Sequence, residues 1–176
     1  DFVTTEDPRR IGRKVADELR GDFYLLDKQR HTCRVLVDQE GKTRRIYDFS
    51  AIQGDSIKVD LSQRDFTINA MAIDLWHPDR IIDPFNGRDD LQRKLLKPVG
   101  PGSLLADPLR CLRAIRYAVN LDLRMDRETQ IQLQGAVGRL GQVSMERKRD
   151  ELFKIMDGKR VTSAFMLMER FKIWEN

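Results

Sequence analysis

Three arginines follow an aspartate at regular spacing, and these side chains suit the binding of phosphate and of a nucleotide base. Arg110, Arg113 and Arg116 recur at three-residue intervals behind Asp107, so a helix would carry them in one band beside its apolar face. Guanidinium groups are planar, multidentate donors that match phosphate oxygens, and an aspartate with an arginine presents an acceptor and a donor to a base edge. The alternative is a helix N-cap followed by a solvated stripe.

A second candidate is a carboxylate in the middle of a predicted strand. Ile46, Asp48 and Ser50 alternate with Tyr47 and Phe49, so the two sets lie on opposite faces. A carboxylate flanked by two aromatic residues is uncommon as mere surface decoration, which makes Asp48 a candidate functional group. The alternative is an exposed aspartate that protects an edge strand from aggregation.

The elements that must position these groups change in type near residue 100. Hydrophobic patterning predicts mixed α and β structure before that residue and helices alone after it. In the first part, Pro8 and the spacing of Ile11, Val15 and Leu19 predict a helix over 8–20, with Gly21 as its C-cap. Strands are predicted at 23–26, 32–37, 43–49, 69–75 and 95–99, a hairpin turn at 39–42, short helices at 60–68 and 89–94, and a turn at 81–87.

The second part is predicted to be helical at 108–121, 126–138, 144–157 and 160–173. Asp107 is a good N-cap for the first of these helices, and Pro108 suits its first position, where a missing N–H costs nothing. Leu112, Ile115 and Val119 recur at helical spacing and are expected to face a core.

Composition indicates an ordinary globular protein. The chain has 176 residues, of which 40% are hydrophobic and 34% are charged. No apolar run approaches the length of a membrane span and nothing resembles a signal peptide, so no membrane partner is expected. Cys33 and Cys111 have no His or Cys neighbours at ligand spacing, which argues against zinc and disulfides and favours the cytoplasm or an organelle matrix. The whole net charge of +4 lies in residues 101–176, a mild indication of a polyanionic partner.

Three motifs occur in an order that resembles one enzyme family. They are Arg-Asp-Phe-Thr-Ile-Asn-Ala-Met-Ala at 64–72, Ile-Asp-Pro-Phe-Asn-Gly at 82–87 and Ala-Asp-Pro-Leu-Arg at 106–110. Together with Glu-Arg-Lys-Arg-Asp-Glu-Leu-Phe-Lys at 146–154, they resemble the class II nucleotidyltransferases, namely the bacterial-type CCA-adding enzymes and the bacterial poly(A) polymerases. The nine-residue run is the most specific, and the resemblance extends from Asp1 to about residue 160.

The resemblance implies an α+β fold. A polymerase-β-like nucleotidyltransferase head, with a mixed or antiparallel sheet and helices, is expected at 1–100, and an all-helical nucleotide-binding neck at 101–176. The implied reaction is attack of an RNA 3′-hydroxyl on the α-phosphate of a nucleoside triphosphate, assisted by Mg²⁺. The expected function is addition of C and/or A to tRNA 3′ ends, with ATP and/or CTP as substrates and tRNA or another RNA 3′ end as partner. The alternatives are a poly(A) polymerase and a truncated, non-catalytic RNA- or nucleotide-binding module.

The resemblance also implies roles for individual residues. Asp1 resembles the second aspartate of the family's Asp-x-Asp metal motif and Asp48 the third carboxylate, so both are expected to be catalytic metal ligands. Arg64 resembles the arginine that contacts the incoming nucleotide. Asp107 and Arg110 resemble the pair that reads the base edge.

The remaining basic residues are expected to contact phosphate or RNA. Arg113 and Arg116 would lie on the triphosphate side, and the RNA-binding residues would be Arg147, Lys148 and Arg149. Phe165, Met166, Met168 and Phe171 form an apolar helix that is expected to be exposed and to permit oligomers. His31 and His77 are expected to be surface or structural residues, and Trp76 and Trp174 to be packing residues.

Three departures from the family pattern bear on activity. The family's Gly-Gly loop and the first aspartate of Asp-x-Asp would lie before Asp1, so we expect a fragment that lacks one metal ligand as written. Ala106 replaces the glutamate that usually precedes the base-reading aspartate, and Gln53 stands where many members carry arginine. Nucleotide choice is therefore not assigned from the sequence.

Overall fold

The computed structural model describes residues 1–27, 31–39 and 42–175. The chain divides into two compact units, Asp1–Asp60 and Leu61–Asn176. Within the described residues the last strand ends at Ile82, and the later elements are helical. The predicted change from mixed to helical structure is present, but it falls after Ile82 and not near residue 100 as predicted. The predicted division into domains at residue 100 stays a prediction.

The first unit is a four-stranded mixed sheet packed against one long helix. Its elements are β1 (Phe2–Thr4), α1 (Pro8–Leu19), β2 (Asp22–Asp27), β3 (Thr32–Gln39) and β4 (Lys42–Ala51), and α2 (Ile57–Ser62) begins in it. The strand order is β1-β4-β3-β2. β1 is parallel to β4, and the other two pairs are antiparallel. The strands predicted at 23–26, 32–37 and 43–49 are confirmed as β2, β3 and β4. Part of the predicted turn at 39–42 lies outside the described residues.

Local signals set both ends of α1. The Asp7 carboxylate accepts the Arg9 N–H at 3.0 Å and caps the helix. The prediction of Gly21 as the C-cap was wrong by one residue, because Arg20 adopts the left-handed conformation with φ 52°. Gly21 serves another purpose, since a Cβ there would lie 2.6 Å from the carbonyl oxygen of Leu36 on β3.

The core of the first unit lies between α1 and one face of the sheet. Gly12 on α1 approaches the sheet so closely that a Cβ would lie 2.7 Å from the Sγ atom of Cys33. The predicted alternation along β4 is confirmed, because Phe49 is buried whereas Ile46 is 58% exposed. The fully or almost fully buried apolar residues of this core are Ala16, Cys33, Val35 and Phe49.

The second unit begins with a small hairpin and continues in helices. Its elements are β5 (Ala72–Asp74), β6 (His77–Ile82), α3 (Gly87–Gln92), α4 (Ser103–Ala106), α5 (Arg110–Asn120), α6 (Arg127–Val137), α7 (Met145–Met156) and α8 (Val161–Arg170), with 3-10 turns at Thr67–Asn69, Leu140–Gln142 and Ile173–Glu175. The four long helices predicted after residue 107 are confirmed to within three residues at each end. No helix in the described part of the chain is long and apolar enough to cross a membrane.

Several predictions for residues 60–99 were wrong. The predicted strand at 95–99 forms only isolated bridges, from Leu95 to Arg124 and from Pro98 to Phe66. This segment reads as apolar because Leu96 is fully buried in the core. The predicted strand at 69–75 is shortened to β5 because a 3-10 turn occupies its start. The helix predicted at 60–68 lies earlier in the chain, as α2 (Ile57–Ser62). The short helix predicted at 89–94 is confirmed as α3, with both ends two residues earlier.

The core of the second unit is built around α5. Leu112, Ile115 and Val119 are buried there, as their spacing predicts. The C-terminal apolar residues divide between core and surface. Met168 and Phe171 are buried, while Phe165 and Met166 are exposed.

The two tryptophans have different environments. Trp174 stacks on Phe165 with ring centroids 5.3 Å apart. The prediction that Trp76 is a packing residue was wrong, because it lies at the turn between β5 and β6 and is 89% exposed. Both histidines are exposed, as expected, and His77 contacts Asp74.

Candidate functional site

Two predicted catalytic carboxylates lie at neighbouring positions in the sheet of the first unit. β1 pairs with β4 in parallel, with Phe2 opposite Phe49. Asp1 and Asp48 immediately precede these partners, so the register brings the two aspartates to the same level of adjacent strands. Asp48 also lies on the face of β4 opposite the buried Phe49. The fold therefore brings together the two acids that the sequence assigned to one site.

Arg34 on β3 holds the carboxylate of Asp48. The two residues are direct partners in the antiparallel pairing of β3 with β4. Arg34 Nε lies 2.7 Å from Asp48 Oδ1, and Arg34 Nη2 lies 2.8 Å from Oδ2. These hydrogen bonds keep the pKa of Asp48 below its ordinary value although partial burial acts in the opposite direction. Asp48 is therefore an ionised carboxylate at neutral pH.

The donor set of this site suits Mg²⁺. Carboxylate oxygens are the ligands that Mg²⁺ prefers, and protein sites commonly supply one or two of them while substrate phosphates and water complete the coordination. Asp1 and Asp48 provide two such groups. No cluster of three or more potential metal-ligating His, Cys, Asp or Glu residues occurs in the described residues. The residues present thus fit part of a Mg²⁺ site.

The Arg-Asp-Phe-Thr-Ile-Asn run is organised around a buried aspartate. Asp65 Oδ1 accepts the Phe66 N–H at 2.9 Å and the Asn69 side-chain amide at 3.0 Å. Asp65 Oδ2 accepts Arg113 Nε at 2.7 Å, and Arg113 Nη2 lies 3.1 Å from the Tyr117 hydroxyl oxygen. Asp65 therefore fixes both the turn that follows Arg64 and one of the predicted nucleotide-binding arginines.

Arg110 ties the start of α5 to the chain that precedes the same turn. Its guanidinium donates to the carbonyl oxygens of Gln63 at 2.6 Å and Arg64 at 3.1 Å, and to the hydroxyl of Ser103 at 2.7 Å. Burial lowers the pKa of Arg110. The predicted base-reading arginine and the predicted nucleotide-contacting Arg64 are thus neighbours in the second unit.

Asp107 is shared between its own backbone turn and α7. Its Oδ1 accepts the Leu109 N–H at 3.3 Å, and its Oδ2 accepts Arg147 Nη2 at 2.7 Å. The prediction of Asp107 as the N-cap of α5 was wrong, because α5 begins at Arg110 and Asp107 follows the end of α4. Residues 107–109 form a turn of their own between the two helices.

Arg116 forms a buried ion pair with Glu151 of α7. The Arg116 Nε atom donates to Glu151 Oε1, and Glu151 is only 2% exposed. The Arg116 guanidinium also lies over the Tyr117 ring, 4.3 Å from its centroid. The three arginines of the predicted band therefore bind three different sets of protein acceptors. Sequence reasoning missed Glu151 and Asp65 as partners, although both lie in the runs that carried the family resemblance.

The three predicted RNA-binding residues occupy the first two turns of α7. Arg147 pairs with Asp107, and Arg149 pairs with its neighbour Asp150 at 3.1 Å. Lys148 lines an apolar cavity of about 380 Å³ together with Met145 and neighbouring residues. Two of the three predicted RNA-binding residues are therefore paired with an acidic side chain in the described structure.

The Ile-Asp-Pro-Phe-Asn-Gly motif has a structural role. Asp83 accepts the N–H groups of Gly87 at 2.7 Å and Arg88 at 2.9 Å, which caps α3. Asn86 is left-handed with φ 56°. A Cβ on Gly87 would lie only 2.0 Å from the carbonyl oxygen of Thr67, so the motif packs α3 against the turn at 67–69.

Comparison with known proteins shows which family the chain resembles. Residues 1–97 match the family model described as the poly A polymerase head domain, and residues 122–176 match one described as a probable RNA and SrmB-binding site of polymerase A. A CC-adding tRNA nucleotidyltransferase of Geobacter sulfurreducens is 37% identical over 89% of this chain and 36% of its own length. An A-adding tRNA nucleotidyltransferase of Deinococcus radiodurans is 32% identical over 93% of this chain and 37% of its own length.

A solved structure of a tRNA-processing enzyme with CTP has the same fold. It superposes with a TM-score of 0.87 at 27% identity, over 98% of this chain and 48% of that one. The chain thus spans little more than a third of the length of the two curated relatives and about half of the solved structure. Since one family model covers more than half of its residues, the chain belongs to the family of the poly(A) polymerase head domain, and it is similar in sequence to tRNA nucleotidyltransferases.

Proposed function

We propose that the protein is a template-independent RNA nucleotidyltransferase that adds C and/or A to tRNA 3′ ends by Mg²⁺-dependent transfer from nucleoside triphosphates. The observation that carries this proposal is the parallel pairing of β1 with β4, in which Asp1 and Asp48 directly precede the paired Phe2 and Phe49. Relatives named CC-adding and A-adding tRNA nucleotidyltransferases support the choice of tRNA as the acceptor.

In this proposal the carboxylates of the first unit hold the metal. Bound Mg²⁺ would supply positive charge for activating the RNA 3′-hydroxyl and for stabilising the pyrophosphate leaving group. Asp48 provides an ionised ligand because Arg34 keeps its pKa low. Arg34 also sets the orientation of this ligand, since it binds both carboxylate oxygens.

The nucleotide is assigned to the second unit. Asp107 and Arg110 would read the base edge, and Arg64 would contact the incoming nucleotide. Because Arg113 and Arg116 are tied to Asp65 and Glu151, we assign them to orienting α5 and to providing positive potential for the triphosphate.

The polyanionic partner is expected on α7. Arg147, Lys148 and Arg149 are the assigned RNA-binding residues, and they lie in the half of the chain that carries the net charge of +4. Both cysteines are free and buried in the described structure, which suits the reducing cytoplasm as the expected compartment. Self-association through the exposed Phe165 and Met166 of α8 remains an additional proposal.

Two alternatives each rest on one observation. The matched family model is named for poly A polymerase, which favours poly(A) addition to other RNAs. The model that matches residues 122–176 is described as a probable RNA and SrmB-binding site of polymerase A, which is compatible with a module that binds nucleotide or RNA without catalysis.

Labelled-nucleotide incorporation separates the three possibilities. The full-length protein would be incubated with Mg²⁺ and each nucleoside triphosphate, using a tRNA that lacks its 3′ end and an unstructured RNA as primers. Limited addition of C or A to the tRNA alone would support the proposal. Long A tails on the unstructured RNA would identify a poly(A) polymerase. Nucleotide binding without incorporation would identify a binding module.

A further inference from the structure

The carboxylate of Asp107 has one weak and one strong restraint. Its hydrogen bond from the Leu109 N–H is 3.3 Å long, beyond the usual range for N–H···O contacts. Its contact with Arg147 Nη2 is 2.7 Å long and joins two charged groups, and such bonds are about twice as strong as neutral ones. The orientation of Asp107 therefore depends mainly on a residue forty positions later in the chain.

Neither Arg110 nor Ala106 supplies this restraint on Asp107. Arg110 donates to the carbonyl oxygens of Gln63 and Arg64 and to Ser103. Ala106 carries a methyl group, which cannot accept or donate a hydrogen bond. The fixed geometry of Asp107 is thus supplied from α7.

The position of Arg147 on α7 is itself fixed. Arg147 and Glu151 are four residues apart and lie on the same face of the helix. Glu151 pairs with Arg116, one of the core-flanking arginines of α5. This buried pair joins α7 to α5 one helical turn after Arg147. The Arg147 guanidinium therefore reaches Asp107 from a helix that is already anchored.

We propose that Arg147 is a positioning residue for nucleotide selection, which acts by orienting the Asp107 carboxylate. The proposal rests on the function proposed above, in which Asp107 reads the base. A carboxylate is an acceptor, so it favours the exocyclic amino groups of cytosine and adenine over the carbonyl groups at the same edge of uracil and guanine. That preference depends on the direction of the carboxylate lone pairs, which Arg147 controls.

The role differs from the RNA contact assigned to the same segment, and the two have separate signatures. An RNA contact would change the dissociation constant for tRNA equally for every nucleotide. A positioning role changes the ratio of kcat/KM for CTP to that for UTP, or for ATP to that for GTP. It also predicts that the effect disappears when Asp107 is absent.

Three variants of the full-length protein test the proposal. Arg147→Ala is expected to lower the selectivity ratio of the preferred nucleotide by about tenfold or more while the Kd for tRNA changes by less than about threefold. Arg147→Lys keeps the charge without the planar guanidinium and is expected to recover part of the selectivity. Arg160→Ala is the matched control, because Arg160 is 56% exposed and pairs with Asp122, much as Arg147 is 53% exposed and pairs with Asp107.

The outcomes distinguish this proposal from the function on which it rests. Arg147→Ala is expected to have no further effect on selectivity in an Asp107→Ala background. An unchanged selectivity ratio in Arg147→Ala, or a loss confined to tRNA affinity, would overturn the positioning role while leaving the proposed function intact. A wild-type protein that neither binds nor incorporates any nucleoside triphosphate would overturn both.

Discussion

Arg34 and Asp48 face each other across β3 and β4, and the guanidinium of Arg34 binds both carboxylate oxygens of Asp48. Asp1 lies on the other side of Asp48, at the same level of β1. The proposed metal ligand therefore has a cationic neighbour on one strand and an acidic neighbour on another. This arrangement explains how a carboxylate in mid-strand stays ionised next to a second carboxylate.

The pair with Arg34 predicts a particular pH dependence of stability. Because the folded pKa of Asp48 lies below its ordinary value, the pair stabilises the fold above pH about 4, and this contribution is lost as the pH falls through the lowered folded pKa. Arg34→Gln should therefore lose less stability than the wild type between about pH 6 and pH 3. The difference should stay below about 1 kcal/mol because the pair is partly exposed to solvent. Urea unfolding of both proteins at each pH measures this difference. An equal loss of stability in the variant and the wild type would contradict the prediction.

Loss of the buried Arg116–Glu151 ion pair should lower the free energy of unfolding much more than loss of an exposed ion pair. Arg116→Ala leaves the carboxylate of Glu151 buried with one fewer cation, which should cost about 3–5 kcal/mol in the free energy of unfolding. Arg160→Ala removes an exposed pair with Asp122 and should cost less than about 1 kcal/mol. Denaturant unfolding compares the two. The double change Arg116→Met with Glu151→Leu should recover most of the loss, and equal costs for the two alanine variants would contradict this account.

Arg110→Ala should damage discrimination among nucleotides more than affinity for triphosphate. The guanidinium also satisfies carbonyl oxygens of the turn before Asp65, so the variant should lose about 1–3 kcal/mol of stability as well. Competition between the four nucleoside triphosphates measures discrimination, and thermal unfolding measures the second effect. An unchanged preference with lowered stability would assign Arg110 to the fold alone.

Both cysteines should be unreactive in the folded protein. Cys33 and Cys111 are fully buried, and burial raises the pKa of Cys33 and raises the pKa of Cys111 to about 12. Since the thiolate is the reactive form, a thiol-specific reagent at about pH 8 should label neither residue until denaturant is added. Rapid labelling of Cys111 in the native protein would show that α5 is less well packed than described.

What could be predicted from the sequence was local or periodic. The face of β4 that carries Asp48 follows from alternation, and the buried side of α5 follows from the spacing of Leu112, Ile115 and Val119. The family resemblance added Asp1, because one aspartate at the start of a chain has no pattern of its own. The parallel register that brings it beside Asp48 emerges only in the folded sheet.

What could not be predicted depends on contacts between distant residues. The partners of the arginines, such as Glu151 for Arg116, lie about thirty-five positions away and follow no periodicity. The segment at 95–99 resembles a strand because burial, rather than a ladder of hydrogen bonds, selects its apolar residues. The start of α5 was misplaced because Asp107 caps its own turn and binds α7 rather than opening the helix.

The central claim is that Asp1 and Asp48 form the catalytic metal site of a nucleotidyltransferase. The most direct test compares the full-length wild type with Asp48→Asn in Mg²⁺-dependent incorporation into a tRNA that lacks its 3′ end. Arg34→Gln serves as the control for loss of the ion pair alone. We expect the wild type to incorporate nucleotide and Asp48→Asn to incorporate none. Asp48→Asn should still bind nucleotide largely as the wild type does, because the amide keeps the size of the carboxylate without its charge. Wild-type turnover by Asp48→Asn would remove Asp48 from the metal site and contradict the account.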